Sequence, residues 1–255
     1  ADSAYKIIPV PYEGNTTYGN GQERGPSAII EASHHLEYFD TTTNTEPYKK
    51  GIITAGPIHE HEDVATIIDE TSIEDCFPVV LGGDHSVTIP AVKALPDDVD
   101  VIIFDAHADM RYSWKGSQTN HACVTRQLSA TRNITVLGVR SMDGAEHQAV
   151  QDEPAVSLVP PEDVPTHDVD DLGPRVHVSI DVDGFDPSII SQTGTPVPGG
   201  LTYKDVTQQL QEIFDTHDVV SADIVEFAPD NEEPSRRRAE SFSVAKLLQY
   251  VLALQ

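Results

Sequence analysis

The stretch Val101-Ile102-Ile103-Phe104-Asp105-Ala106-His107-Ala108-Asp109 decides the fold. Four apolar residues in a row are too few for a helix, and a strand apolar on both faces belongs in a sheet covered on both sides. If the chain stays extended past Phe104, the two-residue period places Asp105, His107 and Asp109 on one side, with the small Ala106 and Ala108 between them. Three metal-ligating side chains then converge just beyond a strand end.

Similar apolar runs flank this one at Tyr5–Val10, Gly51–Thr54, Phe77–Leu81, Ile134–Val139, Val176–Val182 and Val219–Val225. Segments with helical spacing lie between them: Pro26–Tyr38, His61–Ile73, Val87–Leu95, Ala122–Ala130, Gly144–Val150 and Tyr203–Thr216, with Ser235–Leu254 after the last strand. The alternation predicts a three-layer αβα fold with a mostly parallel central sheet. No linker, repeat or shift in composition divides residues 1–255, so one domain is expected. In such sheets the chemistry sits in loops beyond the carboxyl ends of the strands.

Two more strand ends carry suitable residues. Val176-His177-Val178-Ser179-Ile180 runs into Asp181-Val182-Asp183, and Pro78-Val79-Val80-Leu81 into Gly82-Gly83-Asp84-His85-Ser86. A lone Asp after a strand is usually a helix cap, and a lone His usually a surface or hydrogen-bonded residue. Taken together, two imidazoles and four carboxylates in one crevice are prohibitively unfavourable without bound cations. A carboxylate-rich set without cysteine suits hard or borderline ions such as manganese, and carboxylates can bridge two ions ~3.5–4 Å apart. Two divalent ions would neutralise the four carboxylates, so two are expected rather than one.

The 255 residues include 42 acidic and 16 basic side chains, a formal charge of −26. That surface repels nucleic acid and anionic lipid and favours cationic ligands. Most of it is expected to be a solvated coat of the kind that keeps proteins soluble in concentrated salt. Cys76 and Cys123 are too few for a disulfide framework. No signal-type segment or run of ~20 apolar residues occurs, and a cytoplasmic protein is expected.

Gly82-Gly83-Asp84-His85-Ser86, Asp105-Ala106-His107-Ala108-Asp109 and Ser179-Ile180-Asp181-Val182-Asp183-Gly184-Phe185-Asp186-Pro187 resemble the three signature motifs of the ureohydrolases, the arginases, agmatinases and their relatives. The resemblance extends from Pro11-Tyr12-Glu13-Gly14 and Gly25-Pro26-Ser27-Ala28-Ile29 to Gly194-Thr195-Pro196-Val197-Pro198-Gly199-Gly200 and Asp223-Ile224-Val225-Glu226. It implies an arginase/deacetylase-like fold. It also implies one manganese held by His85, Asp105, Asp109 and Asp181, and a second by Asp105, His107, Asp181 and Asp183. A hydroxide between the ions would attack a guanidino carbon.

Glu226, after the last strand, falls where the family places its guanidinium anchor, and a carboxylate matches the guanidinium fork. The plain alternative is a rim salt bridge. His121 resembles the histidine that shuttles protons in agmatinases, and is otherwise a helix-start residue beside Asn120. Thr195 is a weaker candidate for orienting substrate or hydroxide, and otherwise a turn residue. Cys123 is read as a packing residue.

Ser188–Thr193 and Val197 depart from the family pattern, and Ser113–Asn120 does not match the loop with which arginases hold an amino acid's α-groups. Agmatine, hydrolysed to putrescine and urea, is therefore favoured over arginine. Guanidinobutyrate, aminopropylagmatine and a formimino substrate are the enzymatic alternatives, and a non-catalytic metal-binding relative the alternative of another class. The resemblance also implies a homo-oligomer, a trimer or hexamer.

Overall fold

The computed structural model describes residues 3–14, 16–61, 63–71, 73–169, 171–230 and 234–255, with only the backbone at 234–237. Eight strands form one sheet: β1 Tyr5–Val10, β2 Ile52–Thr54, β3 Phe77–Gly82, β4 Val99–Phe104, β5 Ile134–Leu137, β6 Val156–Val159, β7 Arg175–Asp181 and β8 Asp218–Val225. Their order is β2-β1-β3-β8-β7-β4-β5-β6, and every pairing is parallel. The expected mostly parallel sheet is thus wholly parallel. All strands point the same way, so the segments after β3, β4, β7 and β8 emerge along one edge.

Strands β3 and β4 are buried at every residue, which is why they read as nearly continuous apolar runs, with Asp100 the one charged residue in them. One face of the sheet packs on α1 (Gly25–Ser33), α6 (Tyr203–Thr216) and α7 (Pro234–Leu254). The other packs on α2 (Asp63–Asp69), α3 (Thr88–Lys93), α4 (Val124–Leu128) and, more loosely, α5 (Gly144–Gln151). Helix α6 shows how sequence makes such a layer. Thr202 and Asp205 form a capping box, and Val206, Leu210 and Ile213 bury one stripe against the sheet.

The differences from expectation have local causes. Strand β6 was not anticipated: Ser157 interrupts its apolar run, and as an edge strand it buries only Val156 and Val159. The helix expected over Pro26–Tyr38 stops at Ser33. There the amides of His35 and Leu36 bond to the carbonyls of Ala32 and Ser33, and Tyr38 and Phe39 face solvent. The helix expected over His61–Ile73 is observed as α2, while 62 and 72 lie outside the described residues. Helices α3 and α4 are each preceded by a 3-10 turn, His85–Val87 and His121–Cys123, and each turn begins on a candidate site histidine.

Candidate metal centre

At the end of β3 the chain passes so close to Tyr12 that a Cβ on Gly83 would lie 1.9 Å from the Tyr12 carbonyl oxygen. Only glycine fits there. Asp84 then caps the 3-10 turn by accepting from the Ser86 amide at 3.0 Å, and the turn buries His85 above the sheet edge.

His85 Nδ1 lies 3.3 Å from one carboxylate oxygen of each of Asp105, Asp109 and Asp181, yet makes no hydrogen bond among the described residues. Its other ring nitrogen, Nε2, is 3.1 Å from Ser179 Oγ, which donates to Asp223 Oδ1 at 2.6 Å. Because that hydroxyl proton goes to a carboxylate, Ser179 accepts from Nε2–H. Burial disfavours the charged ring, but Asp105, Asp109 and Asp181 outweigh it and raise His85 well above the ordinary imidazole value, whereas a neutral His85 would present a bare lone pair at Nδ1. A lone pair facing three carboxylate oxygens is repulsive unless a cation sits among them. Two ligand atoms ~2.1 Å from one ion at right angles are ~3 Å apart, so the observed spacing suits a hard divalent ion.

A second group lies alongside. His107 Nδ1 is 3.4 Å from Asp105 Oδ1 and 3.1 Å from Asp183 Oδ2. Asp105 therefore turns one oxygen to each histidine, the arrangement of a bridging carboxylate. Asp181 turns Oδ2 to His85, while its Oδ1 accepts from the Asp183 amide at 2.8 Å, which places it on the His85 side. The expectation that the chain stays extended through Asp109 is corrected. Asp109 has φ +48°, a left-handed conformation that Asp tolerates, and this turn brings its carboxylate back to His85.

The electrostatics express the same demand for cations. Burial and the charges of Asp183 and Asp105 push Asp181 well above the ordinary carboxylate range, and burial with the charge of Asp105 pushes Asp109 up to about 7. Burial pulls His107 down, but Asp183 and Asp105 outweigh it and drive the imidazole up to about 12. Without metal these groups would hold protons where divalent ions fit.

Glu226 lies at the same floor, buried, with φ +65°. Its amide donates to the Gly83 carbonyl at 2.7 Å, and its Oε1 accepts from the His85 amide at 2.8 Å. It is no rim ion pair: no Lys or Arg contacts it among the described residues, and burial with the charge of Asp84 pushes it up to about 8. Above the floor opens a cleft of about 540 Å³, which Glu226 lines with His121, Thr195, Thr17, Trp114 and Met142. His121 Nε2 meets Thr17 Oγ1 at 2.8 Å, while Asn120 caps the turn that carries His121 by accepting from the Ala122 amide. His121 thus starts the capped turn and also lines the cleft. Thr195 Oγ1 stands 3.4 Å from Asp183 Oδ2. Cys123 is buried, and burial pushes its thiol up to about 11, as befits a packing residue.

Several contributors were not anticipated. Ser179 and Asp223 fix His85, and both lie inside quoted motifs at strand positions whose side chains point toward it. Thr17 and Trp114 sit in loops and Gln22 at the start of a 3-10 turn, all distant in sequence from the motifs and with no periodicity to reveal them.

An all-parallel αβα sheet carrying two carboxylate and imidazole groups at its carboxyl edge, joined through Asp105, is the framework of a metal-dependent hydrolase. Residues 3–253 match the family described as the arginase family, and the chain belongs to it. It is 34% identical to an N(1)-aminopropylagmatine ureohydrolase of Thermus thermophilus, covering 89% of this chain and 83% of that one. It is 33% identical to an agmatinase of Pyrococcus horikoshii, covering 99% and 92% of the two. The crystal structure of the agmatine ureohydrolase of Thermoplasma volcanium superposes with a TM-score of 0.89 at 32% identity, covering 99% of this chain and 90% of that one.

Proposed function

We propose that the protein hydrolyses a linear cationic guanidino compound, in the first instance agmatine to putrescine and urea, with two manganese ions. The observation that carries the reading is Asp105 facing both histidine groups with Glu226 on the same floor. His85, Asp105, Asp109 and Asp181 would hold one ion. Asp105, His107 and Asp183 would hold the other, with Asp181 as the shared ligand that the family resemblance implies. When bound, the pair supplies a water of lowered pKa and stabilises charge on the reacting group.

The chain's own residues do the rest. Glu226 accepts the guanidinium N–H fork and sets the carbon over the floor. His121 holds the proton that the departing amine needs, at a cleft position linked to Thr17. Thr195 offers a hydroxyl beside Asp183 for orientation. Trp114 and Met142 give the alkyl chain an apolar wall, and the sequence of Ser113–Asn120 does not match the loop with which arginases hold an amino acid.

Manganese-dependent release of urea from agmatine tests the proposal, and release of formamide without urea from a formimino compound would replace it. Aminopropylagmatine is the second reading. It is favoured by the Thermus thermophilus relative's name and by a cleft with room for a longer polyamine, and kcat/KM for the two substrates separates them.

We further propose that the acidic coat is a salt adaptation. Arg175, for example, is shared among Glu74, Asp98 and Asp218, and activity should persist in multimolar salt. Family likeness also suggests one cytoplasmic domain that assembles as a homo-oligomer, which light scattering on the purified protein checks. No helix among the described residues is long and apolar enough to cross a membrane.

A further inference from the structure

The Glu226 carboxylate is gripped from outside the cleft. Gln22 Nε2 donates to its Oε2 at 3.1 Å, while the His85 amide donates to Oε1 at 2.8 Å. An ionised Glu226, the form that can take up a guanidinium, only accepts, and this fixes the amide orientation of Gln22 with nitrogen toward Glu226. Its Oε1 is then buried without a partner among the described residues, a cost that the Glu226 contact must offset.

The surroundings are shaped around this contact. Gln22 is 2% exposed and does not line the cleft. It opens a 3-10 turn behind Gly21, whose φ is +111°. From the opposite side, a Cβ on Gly194 would fall 2.5 Å from Gln22 Nε2 and 3.4 Å from Glu226 Oε2. Three segments far apart in sequence, at 22, 194 and 226, therefore close on one hydrogen bond. A carboxylate has about four lone-pair sites in its plane. With one on each oxygen engaged by the protein, one on each remains, and a guanidinium fork needs those two to share its own plane.

We propose that Gln22 is a positioning residue that fixes the plane of the Glu226 carboxylate, so that preference for a planar guanidinium over a simple ammonium depends on a residue outside the cleft. The proposal rests on Glu226 being the guanidinium acceptor. Gln22→Met keeps the length of the side chain and removes the donor. Made in the manganese-loaded enzyme, it should raise KM for agmatine and the inhibition constant of guanidinium ion about tenfold, as loss of a hydrogen bond to a charged group does. Manganese content and inhibition by a simple diamine should stay unchanged.

In a Glu226→Gln background the same substitution should add nothing, because the effect runs through that carboxylate. If Gln22→Met fails to fold, Gln22→Asn, which keeps the amide but cannot reach, carries the same expectation. Wild-type constants in the Gln22 variant beside a damaged Glu226→Gln would overturn the role of Gln22 alone, as would an undiminished effect in the double variant. A Glu226→Gln enzyme with wild-type KM would overturn the acceptor reading itself, and this inference with it.

Discussion

The floor of the cleft, where His85, Asp105, Asp109, Asp181 and Asp183 meet, and its mouth, where Thr17, Trp114 and His121 stand, are made from different kinds of chain. The floor residues follow directly from the ends of β3, β4 and β7, and all five are buried. The mouth is made of loops held by single contacts. The Trp114 indole donates to Thr17 Oγ1 at 3.0 Å, the Arg111 guanidinium stacks 4.5 Å from the Trp114 ring, and Lys115 donates to the Thr16 carbonyl. Arg111 is in turn paired with Asp143 and Glu146. A floor set by sheet register fixes the type of reaction, whereas a mouth set by loops can change its substrate without disturbing the floor.

The largest effects are expected at the floor. Asp105→Ala removes the oxygen facing each histidine, so both ions should be lost, and with them several kcal/mol of transition-state stabilisation, ~10³-fold or more in urea release. Metal analysis and kinetics on one preparation check this, and a variant that kept both ions would break the assignment of Asp105 as the shared ligand.

Stripping the metal should also expose the buried charge. Asp109 at about 7, Glu226 at about 8 and His107 at about 12 all lie above their ordinary values. The folded metal-free protein then holds protons that the unfolded chain has released, and its stability falls as pH rises from 6 to 9. Tm of chelated protein should drop across that range, and manganese should largely abolish the slope. A metal-free protein whose Tm rose with pH would contradict the sign.

Next come the two residues between floor and mouth. His121→Ala should lower kcat by ~10²-fold or more, the usual scale of general acid catalysis, with manganese retained. Glu226→Gln should cost less, ~10–100-fold and mainly in KM, because it replaces a charge-assisted acceptor by a neutral one. If either variant lost metal, the boundary between floor and mouth would lie elsewhere.

How legible each region was in the sequence follows from the same contrast. Strand β4 announces itself because burial on both faces leaves Asp100 as its one polar position, and the two-residue period then carries Asp105 and His107 to the site. Asp109 reaches His85 by another route than the one expected: a left-handed turn, not an extended chain, aims it. The edge strand β6 was missed because one open face removes the unbroken apolar signature. Gln22 and Thr17 were beyond reach altogether. Their roles arise from contacts to Glu226 and His121, over a hundred residues away in the chain, and a single tertiary hydrogen bond leaves no local pattern.

Thr17 offers the finest test of the comparison. An indole N–H can only donate, so Thr17 Oγ1 accepts from Trp114; its own proton goes to His121 Nε2 at 2.8 Å while the imidazole is neutral, and its remaining lone pair accepts from Nε2–H once His121 is protonated. In that arrangement the hydroxyl holds the imidazole by one neutral hydrogen bond, at an exposed position where water can stand in for it. Thr17→Val should therefore lower kcat only ~2–10-fold, the range for one such bond, and Thr17→Ser should restore it. Trp114→Phe keeps a ring for Arg111 and removes only the indole donor, so its effect should be smaller still, with manganese content unchanged in all three variants. A loss in Thr17→Val as deep as in His121→Ala would mean that the mouth is as tightly constrained as the floor, and that substrate choice could not drift there independently of the reaction.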